Sequence, residues 1–327
     1  MNQPTLTRRA LMLALAAFAA GAAVPAHAQD DYPARPITLV VGYPAGGSTD
    51  LTARLFGEAL SKRIGERVIV ENVGGAGGAI GAQRVAKARA DGYTLLLGAS
   101  NEMAIASLIN KAVKYDGLKD FTPIGMISTQ PMVLVASANS PIKNISDFLA
   151  QARANPGKFS FGTSGVGTAL HLSAESVKEA GGLQLVHVPY RGVAPLASDI
   201  MGGQLQFGVF VLSSALANIR AGKLVPIGLM QASRAPLAPE IPTFAEAGLK
   251  DVNMDIWFGL YGPANVPGPV VAKLRAALDD VLKMPEFRSK MQESGSTVAA
   301  SGVDLAQFQR KETEKYKRIV EFAKIEE

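Results

Sequence analysis

The chain has 327 residues, of which 33 are Lys or Arg and 28 are Asp or Glu, a formal net charge of +5, and no cysteine. The lack of thiols excludes disulfide scaffolds, zinc fingers, iron–sulfur clusters and thiol catalysis, so stability must come from buried cores, for which roughly 300 residues suffice. The basic excess is mild and spread over runs such as Lys62-Arg63 and Lys315-Tyr316-Lys317-Arg318, without the one-sided clustering and interleaved aromatics of a polynucleotide binder. Nucleic acid is not an expected partner.

Residues 1–28 read as a signal peptide: Arg8-Arg9, an apolar stretch from Ala10 to Val24, then Ala26-His27-Ala28 as an A-x-A cleavage site. The stretch is too short and too alanine-rich to favour a permanent membrane span. Thr7-Arg8-Arg9 before Ala10-Leu11-Met12 also resembles a twin-arginine signal, so the Sec and twin-arginine routes both fit, and both end in the periplasm. Removing this segment takes away two basic residues and no acid, leaving a net charge of +3.

Downstream, β-branched apolar runs alternate with helical patterns. The strand-like runs Ile37–Val41, Arg67–Glu71 and Tyr93–Leu97 enclose helix-like Leu51–Ile64 and Ile80–Ala90, which predicts a parallel sheet covered by helices. Lys111–Asp120 is polar and irregular. A second sheet is expected to begin at Met132–Ala136. It continues through helix Ser146–Asn155, strand Phe159–Phe161, helix Ala169–Ala180, strand Gln184–Val188, helix Ala194–Met201, strand Gln206–Val211, helix Ser213–Ala221 and strand Leu224–Met230. Helix ends fall at Gly181-Gly182, Gly202-Gly203 and Gly222, as left-handed caps require. After a proline-rich crossing come strand Asp255–Tyr261 and helices Pro267–Met284, Glu286–Ser294 and Asp304–Ile325. This tail has no sheet of its own and is expected to fold back on the first lobe. The result is an α/β chain with a discontinuous first lobe, residues 29–130 plus 231–327, a continuous second lobe, residues 131–230, and a ligand cleft between them.

The chemistry concentrates on strand-to-helix turns. Gly42-Tyr43-Pro44-Ala45-Gly46-Gly47-Ser48-Thr49-Asp50 joins the first strand to the first helix. Its glycines let backbone N–H groups approach a ligand, Ser48, Thr49 or Asp50 can cap the helix, and the helix start favours an anion. Gly162-Thr163-Ser164-Gly165-Val166-Gly167-Thr168 holds the same position in the second lobe, so the two turns suit a clamp around an anion. The run Gly74–Gly81 lacks the spacing of a dinucleotide fingerprint and no acidic residue closes the following strand; no cofactor is expected, and Gly77 and Gly78 instead read as a further cleft loop beside Ser100 and Asn101.

Gly162-Thr163-Ser164-Gly165-Val166 also misses the last glycine of a nucleophile elbow, and His171 and His187, the two histidines beyond the leader, read as packed core residues rather than bases or metal ligands. Binding without turnover is therefore the expected activity. A serine hydrolase or transferase using Ser164 is the enzyme alternative.

These pieces resemble the Bug-type extracytoplasmic solute receptors, the substrate-binding components of tripartite tricarboxylate transporters. The matching segments span nearly the whole mature chain. They include Tyr32-Pro33-Ala34-Arg35-Pro36-Ile37, the Pro44–Asp50 turn, Val70-Glu71-Asn72 with Gly74–Gly78, Asp91-Gly92-Tyr93-Thr94-Leu95, Asp120-Phe121-Thr122-Pro123-Ile124, Ser164-Gly165-Val166-Gly167, His187-Val188-Pro189-Tyr190-Arg191-Gly192 and Pro242-Thr243-Phe244-Ala245-Glu246-Ala247-Gly248. The resemblance implies a two-lobed, type II-like periplasmic binding protein, a monomer that closes on a small organic carboxylate and delivers it to a membrane permease. A sensing role with a signalling partner shares the same fold.

By the same resemblance the carboxylate is gripped by Tyr43, Gly46, Gly47, Ser48 and Asp50 from the first lobe and by Thr163, Ser164, Gly165 and Thr168 from the second. This copy departs from the family at two places. Ala45 replaces a common second proline, and Val211 stands where many members carry an aspartate that would receive an amino group. The expected ligand is therefore a non-amino mono- or dicarboxylate, with room for an apolar or aromatic body.

Overall fold

The computed structural model describes residues 32–325, and the signal-peptide reading of residues 1–28 lies outside them. Two compact units divide the chain, Met1–Ala34 and Arg35–Glu327, and the strands and helices among the described residues belong to the second.

Strands β1 (Ile37–Val41), β2 (Val68–Asn72) and β3 (Thr94–Ala99) are parallel, with β1 in the middle. The runs Leu39–Val41 and Leu95–Leu97 are fully buried, as strands covered on both faces must be. Helices α1 (Ser48–Ile64) and α2 (Ala79–Ala86) make the crossovers. A wide helical turn, Asn101–Ile105, and the short α3 (Ala106–Ile109) come after β3. Sequence periodicity had no handle on so brief an element.

The parallel pattern stops at β3. Strand β9 (Asp255–Pro263) pairs with it antiparallel, and β4 (Phe121–Ser137) pairs antiparallel with β9. The expected second sheet does take its first ladder at Met132, but it starts no new strand. The 17-residue β4 pairs with β9 up to Pro131 and from Met132 onward with β7 (Phe207–Val211) and β8 (Leu224–Leu229), both antiparallel. Pro131 has no N–H to donate, so it fits the seam where one ladder ends and the other begins. Strand β5 (Ser160–Thr163) then runs parallel to both β7 and β6 (Val186–Pro189). The full order is β2-β1-β3-β9-β4-β7-β5-β6, with β8 and β10 (Thr297–Val298) also on β4.

Helices α4 (Ile145–Ala154), α5 (Ala169–Gly181), α6 (Val193–Met201) and α7 (Leu212–Arg220) flank the second half of this sheet. Gly182 ends α5 in the left-handed conformation, φ 62°, as its position predicted. In the tail, α8 (Gly268–Lys283) and α9 (Pro285–Glu293) lie on α1, where Phe287 meets Phe56 edge-on at 6.3 Å. Helix α10 (Leu305–Ala323) reaches further. It packs on the Asn101–Ile105 turn and also on α5, so the tail is not confined to the first half of the sheet. Buried Gln309 on this helix donates to the carbonyls of Met103 (2.7 Å) and Gly117 (2.9 Å) and accepts from the Tyr261 hydroxyl (2.9 Å). That leaves its amide fully paired and pins the turn that carries Asn101.

Candidate functional site

The first turn is organised by a buried carboxylate. Asp50 Oδ2 accepts from the Gly46 N–H and from Arg54 Nε, both at 2.9 Å, and Oδ1 accepts from Asn72 Nδ2 at 3.0 Å. The same Asn72 amide also donates to the Tyr43 carbonyl at 3.0 Å. Burial alone would raise the Asp50 carboxyl, but the hydrogen bonds from Arg54, Gly46 and Asn72 hold it below its ordinary value. Asp50 thus holds the turn in shape from within; it is not the helix cap. The residue at the N-cap is Gly47, which has no side chain to offer, so no side-chain hydrogen bond caps the start of α1. Its first N–H groups and the positive end of a 17-residue helix are left for something else.

A second buried acid lies behind this turn. The Tyr43 hydroxyl is 2.6 Å from Glu102 Oε2 and 2.9 Å from the Gly77 carbonyl oxygen, while the Ala99 N–H donates to Glu102 Oε1 at 2.6 Å. One phenolic proton cannot serve two acceptors at full strength. The Tyr43 hydroxyl therefore divides its proton between Glu102 Oε2, the shorter contact, and the Gly77 carbonyl. Burial pushes the Glu102 carboxyl up to about 7, against the opposing hydrogen bonds from Tyr43 and Ala99. The loop Gly74–Gly81 closes this pocket from behind. A Cβ on Gly78 would meet Glu102 Oε2 at 2.8 Å and Tyr43 Oη at 2.9 Å, and one on Gly42 would meet the Gly78 carbonyl oxygen at 2.6 Å. Gly77 and Gly78 are therefore buttresses of Tyr43 rather than part of the cavity surface.

The second turn is held by hydroxyls and imidazole rings rather than by a carboxylate. The Thr163 hydroxyl is 2.7 Å from His187 Nε2 and donates to the Gly165 carbonyl at 3.0 Å, which also receives the Thr168 hydroxyl at 3.0 Å. His187 stacks on His171 with ring centroids 3.7 Å apart. The Gly167 N–H donates to His171 Nδ1 at 3.1 Å, which places the ring proton on Nε2, facing Glu175. Burial, reinforced by His171, pushes the His187 imidazole down to about 4. Both histidines are committed to holding the loop, and no hydrogen bond links either to Ser164 among the described residues. Unlike α1, helix α5 begins capped: Asn101 Oδ1 accepts from the Ala169 N–H at 2.9 Å and the Thr168 hydroxyl accepts from the His171 N–H at 3.3 Å.

The two turns meet across a cavity of about 440 Å³. It lies at the carboxyl ends of the parallel strands β1 and β3 in one half and β5 and β7 in the other, where open α/β sheets place ligands. Of the residues singled out from sequence, Tyr43, Gly47, Ser48, Ser100, Asn101, Ser164, Thr168 and Val211 line it. Gly46, Asp50, Gly77, Gly78, Thr163 and Gly165 do not; Gly46, Asp50, Thr163 and Gly165 shape the turns from behind. Sequence reading missed Leu170, Gly192, Val193 and Ile256 as wall residues. Gly192 and Val193 come shortly after the predicted strand Gln184–Val188, so the general rule that ligands gather past the carboxyl ends of parallel strands could have found them. Ile256 comes from an antiparallel strand and had no such signal.

A mixed, curled sheet flanked by helices, with a cavity at the carboxyl ends of its parallel strands, is the α/β fold of periplasmic binding proteins. The comparisons with known proteins narrow this class. Residues 52–325 match the model of the tripartite tricarboxylate transporter family receptor, and the chain belongs to that family. It is 34% identical to a UPF0065 protein from the tcbD-tcbE intergenic region of Pseudomonas sp. (strain P51), over 96% of this chain and 94% of that one. The structure of the periplasmic binding protein BugD superposes with a TM-score of 0.77 at 34% identity, covering 90% of this chain and 99% of that one. R. palustris Rpa4515, solved with adipate, gives a TM-score of 0.81 at 31% identity over 90% and 99% of the two chains. Among the described residues no helix is long and apolar enough to cross a membrane.

Proposed function

We propose that this chain is a periplasmic receptor that captures a small carboxylate in the 440 Å³ cavity and hands it, unaltered, to the permease of a tripartite tricarboxylate-type transporter. The observation that carries the reading is the start of α1: an uncapped helix end lining a cavity, with Ser100 among the residues around the same space and its buried hydroxyl bonded to nothing. The carboxylate sits there, against the N–H groups of Ser48 and Thr49, and the second turn closes over it through Ser164 and Thr168. Residues 29–130 with 231–327 form one lobe and residues 131–230 the other, turning about the seam at Pro131 and Met132. Adipate in a related structure supports the ligand class. The Arg8-Arg9 leader supports export, and the protein acts as a monomer. Turnover is disfavoured because both histidines near Ser164 are engaged elsewhere.

A thermal-shift screen of the purified protein against a carboxylate library tests the binding reading, with mass spectrometry of the bound compound after incubation. The expected result is a rise in melting temperature with a ligand of unchanged mass. A ligand that changes mass with time would replace the receptor with an enzyme. Ser164→Phe is expected to abolish the shift while leaving the ligand-free melting temperature in place. Uptake of the labelled ligand into cells, lost on deleting this protein, tests the permease as partner.

A further inference from the structure

Seventeen residues line the cavity, and none of them carries a charged side chain. Its polar side chains stand on both sides: Ser48, Thr49 and Ser100 with the uncapped start of α1, and Asn101, Ser164 and Thr168 with the capped start of α5. The Ser100 side chain is fully buried and its hydroxyl has no hydrogen-bond partner, which is costly unless a ligand supplies one. A second site for an anion would be expected at the start of α5, but there the Ala169 N–H is already taken by Asn101 and the His171 N–H by Thr168. The apolar part of the wall is built chiefly from Leu170, Val193, Val211 and Ile256. A second carboxylate or an ammonium group set against it would lose its hydration without gaining a partner.

From this distribution we infer that the natural ligand carries a single carboxylate on an uncharged, apolar body, with Ser100 as a further carboxylate donor and the Leu170, Val193, Val211 and Ile256 wall as the selector against a second charge. The inference rests on the carboxylate-receptor reading above and narrows it. The two acids nearest the cavity fit a site for one anion. Glu102 is sealed behind Tyr43, whose hydroxyl donates to it, and Asp50 is paired with Arg54, so neither acid lines the cavity. The cavity falls within the roughly 300–1,000 Å³ of small-molecule sites, enough for an aromatic or medium-chain acid.

The test is calorimetric titration of the purified protein with phenylacetate, benzoate and hexanoate, set against adipate, malate and aspartate, with benzamide as an uncharged control. At least one of the three monocarboxylates is expected to bind about tenfold or more tighter than any of the diacids or aspartate, and benzamide not to bind. Ser100→Ala is expected to weaken the monocarboxylate about tenfold with the ligand-free melting temperature unchanged. Val211→Asp should weaken it further and admit aspartate. Adipate or malate binding as tightly as the best monocarboxylate would overturn the single-charge inference while leaving the receptor reading intact. An unaffected Ser100→Ala would remove Ser100 as a donor. No response to any carboxylate would overturn both readings.

Discussion

The two turns that face each other across the cavity do the same mechanical job with opposite materials. The first is built around an ionised carboxylate, Asp50, anchored by a guanidinium, an amide and a backbone N–H. The second is built around two stacked imidazoles and two threonine hydroxyls. The consequence lies in the helices they introduce. Asp50 spends its charge inside the turn and leaves the start of α1 open, whereas Asn101 and Thr168 fill the start of α5. On the proposed function, this pair of strand-to-helix turns divides labour: one provides the charge-receiving end, the other the closing face.

Each half of this comparison can be broken separately. The largest effect is expected from Asp50→Ala, which removes three hydrogen bonds at an almost fully buried carboxylate. We expect a loss of about 3 kcal/mol in urea denaturation, and loss of the ligand-induced melting shift because Gly46 and Gly47 are no longer held.

Glu102→Gln comes next and separates a neutral acid from an ionised one. Folding raises this carboxyl from 4.5 to about 7, so between those pH values the folded protein holds a proton that the unfolded chain has released. Stability therefore falls as pH rises through that window, by about 3 kcal/mol from this group. The glutamine variant lacks this loss. Relative to the parent it should gain about 3 kcal/mol between pH 4.5 and pH 8, read from denaturation curves at both. Asp255, also raised by burial to about 7, leaves a residual slope of the same sign in both proteins.

The second turn should fail in the opposite direction. His187, lowered from 6.5 to about 4, stays neutral in the fold while the unfolded chain takes up a proton, so stability is lost as pH falls from 6.5 towards 4. Discounting for partial exposure, this amounts to about 2 kcal/mol. His187→Gln should narrow the gap to the parent by that amount between pH 7 and pH 4.5. The smallest effect is expected from Thr168→Ala, which removes one helix cap and one bond to Gly165, at about 1 kcal/mol in the same assay.

Much of this architecture was legible in the sequence because short β-branched apolar runs such as Ile37–Val41, alternating with helix-period segments, fit strands buried on both faces. Glycines at Gly182 and Gly222 marked helix ends for an equally physical reason. What stayed hidden was long-range. Nothing local to Phe121–Ser137 shows that one strand serves two ladders, since pairing partners lie up to 170 residues away, as Ser128 and Val298 do. The site divides the same way. Ser48, Ser164 and Thr168 were readable from strand-to-helix turns, but the reassignment of Asp50 and Gly78 to the support of the turn needed the positions of Asn72, Arg54, Tyr43 and Glu102, which only the fold brings together. Glu102 itself was missed because an acid one residue past a Ser-Asn pair reads as an exposed first-turn residue, and only tertiary packing by Tyr43 and Tyr115 buries it.

The most direct measurement is a crystal structure of the protein with its tightest-binding carboxylate. The carboxylate oxygens are expected within hydrogen-bond distance of the Ser48 or Thr49 N–H and the Ser100 hydroxyl, with Ser164 facing them and the ligand body against Val211 and Ile256. A carboxylate lodged instead beside Arg275, in the separate cavity of about 330 Å³ lined by Pro123, Met126 and Asp304, would contradict this placement.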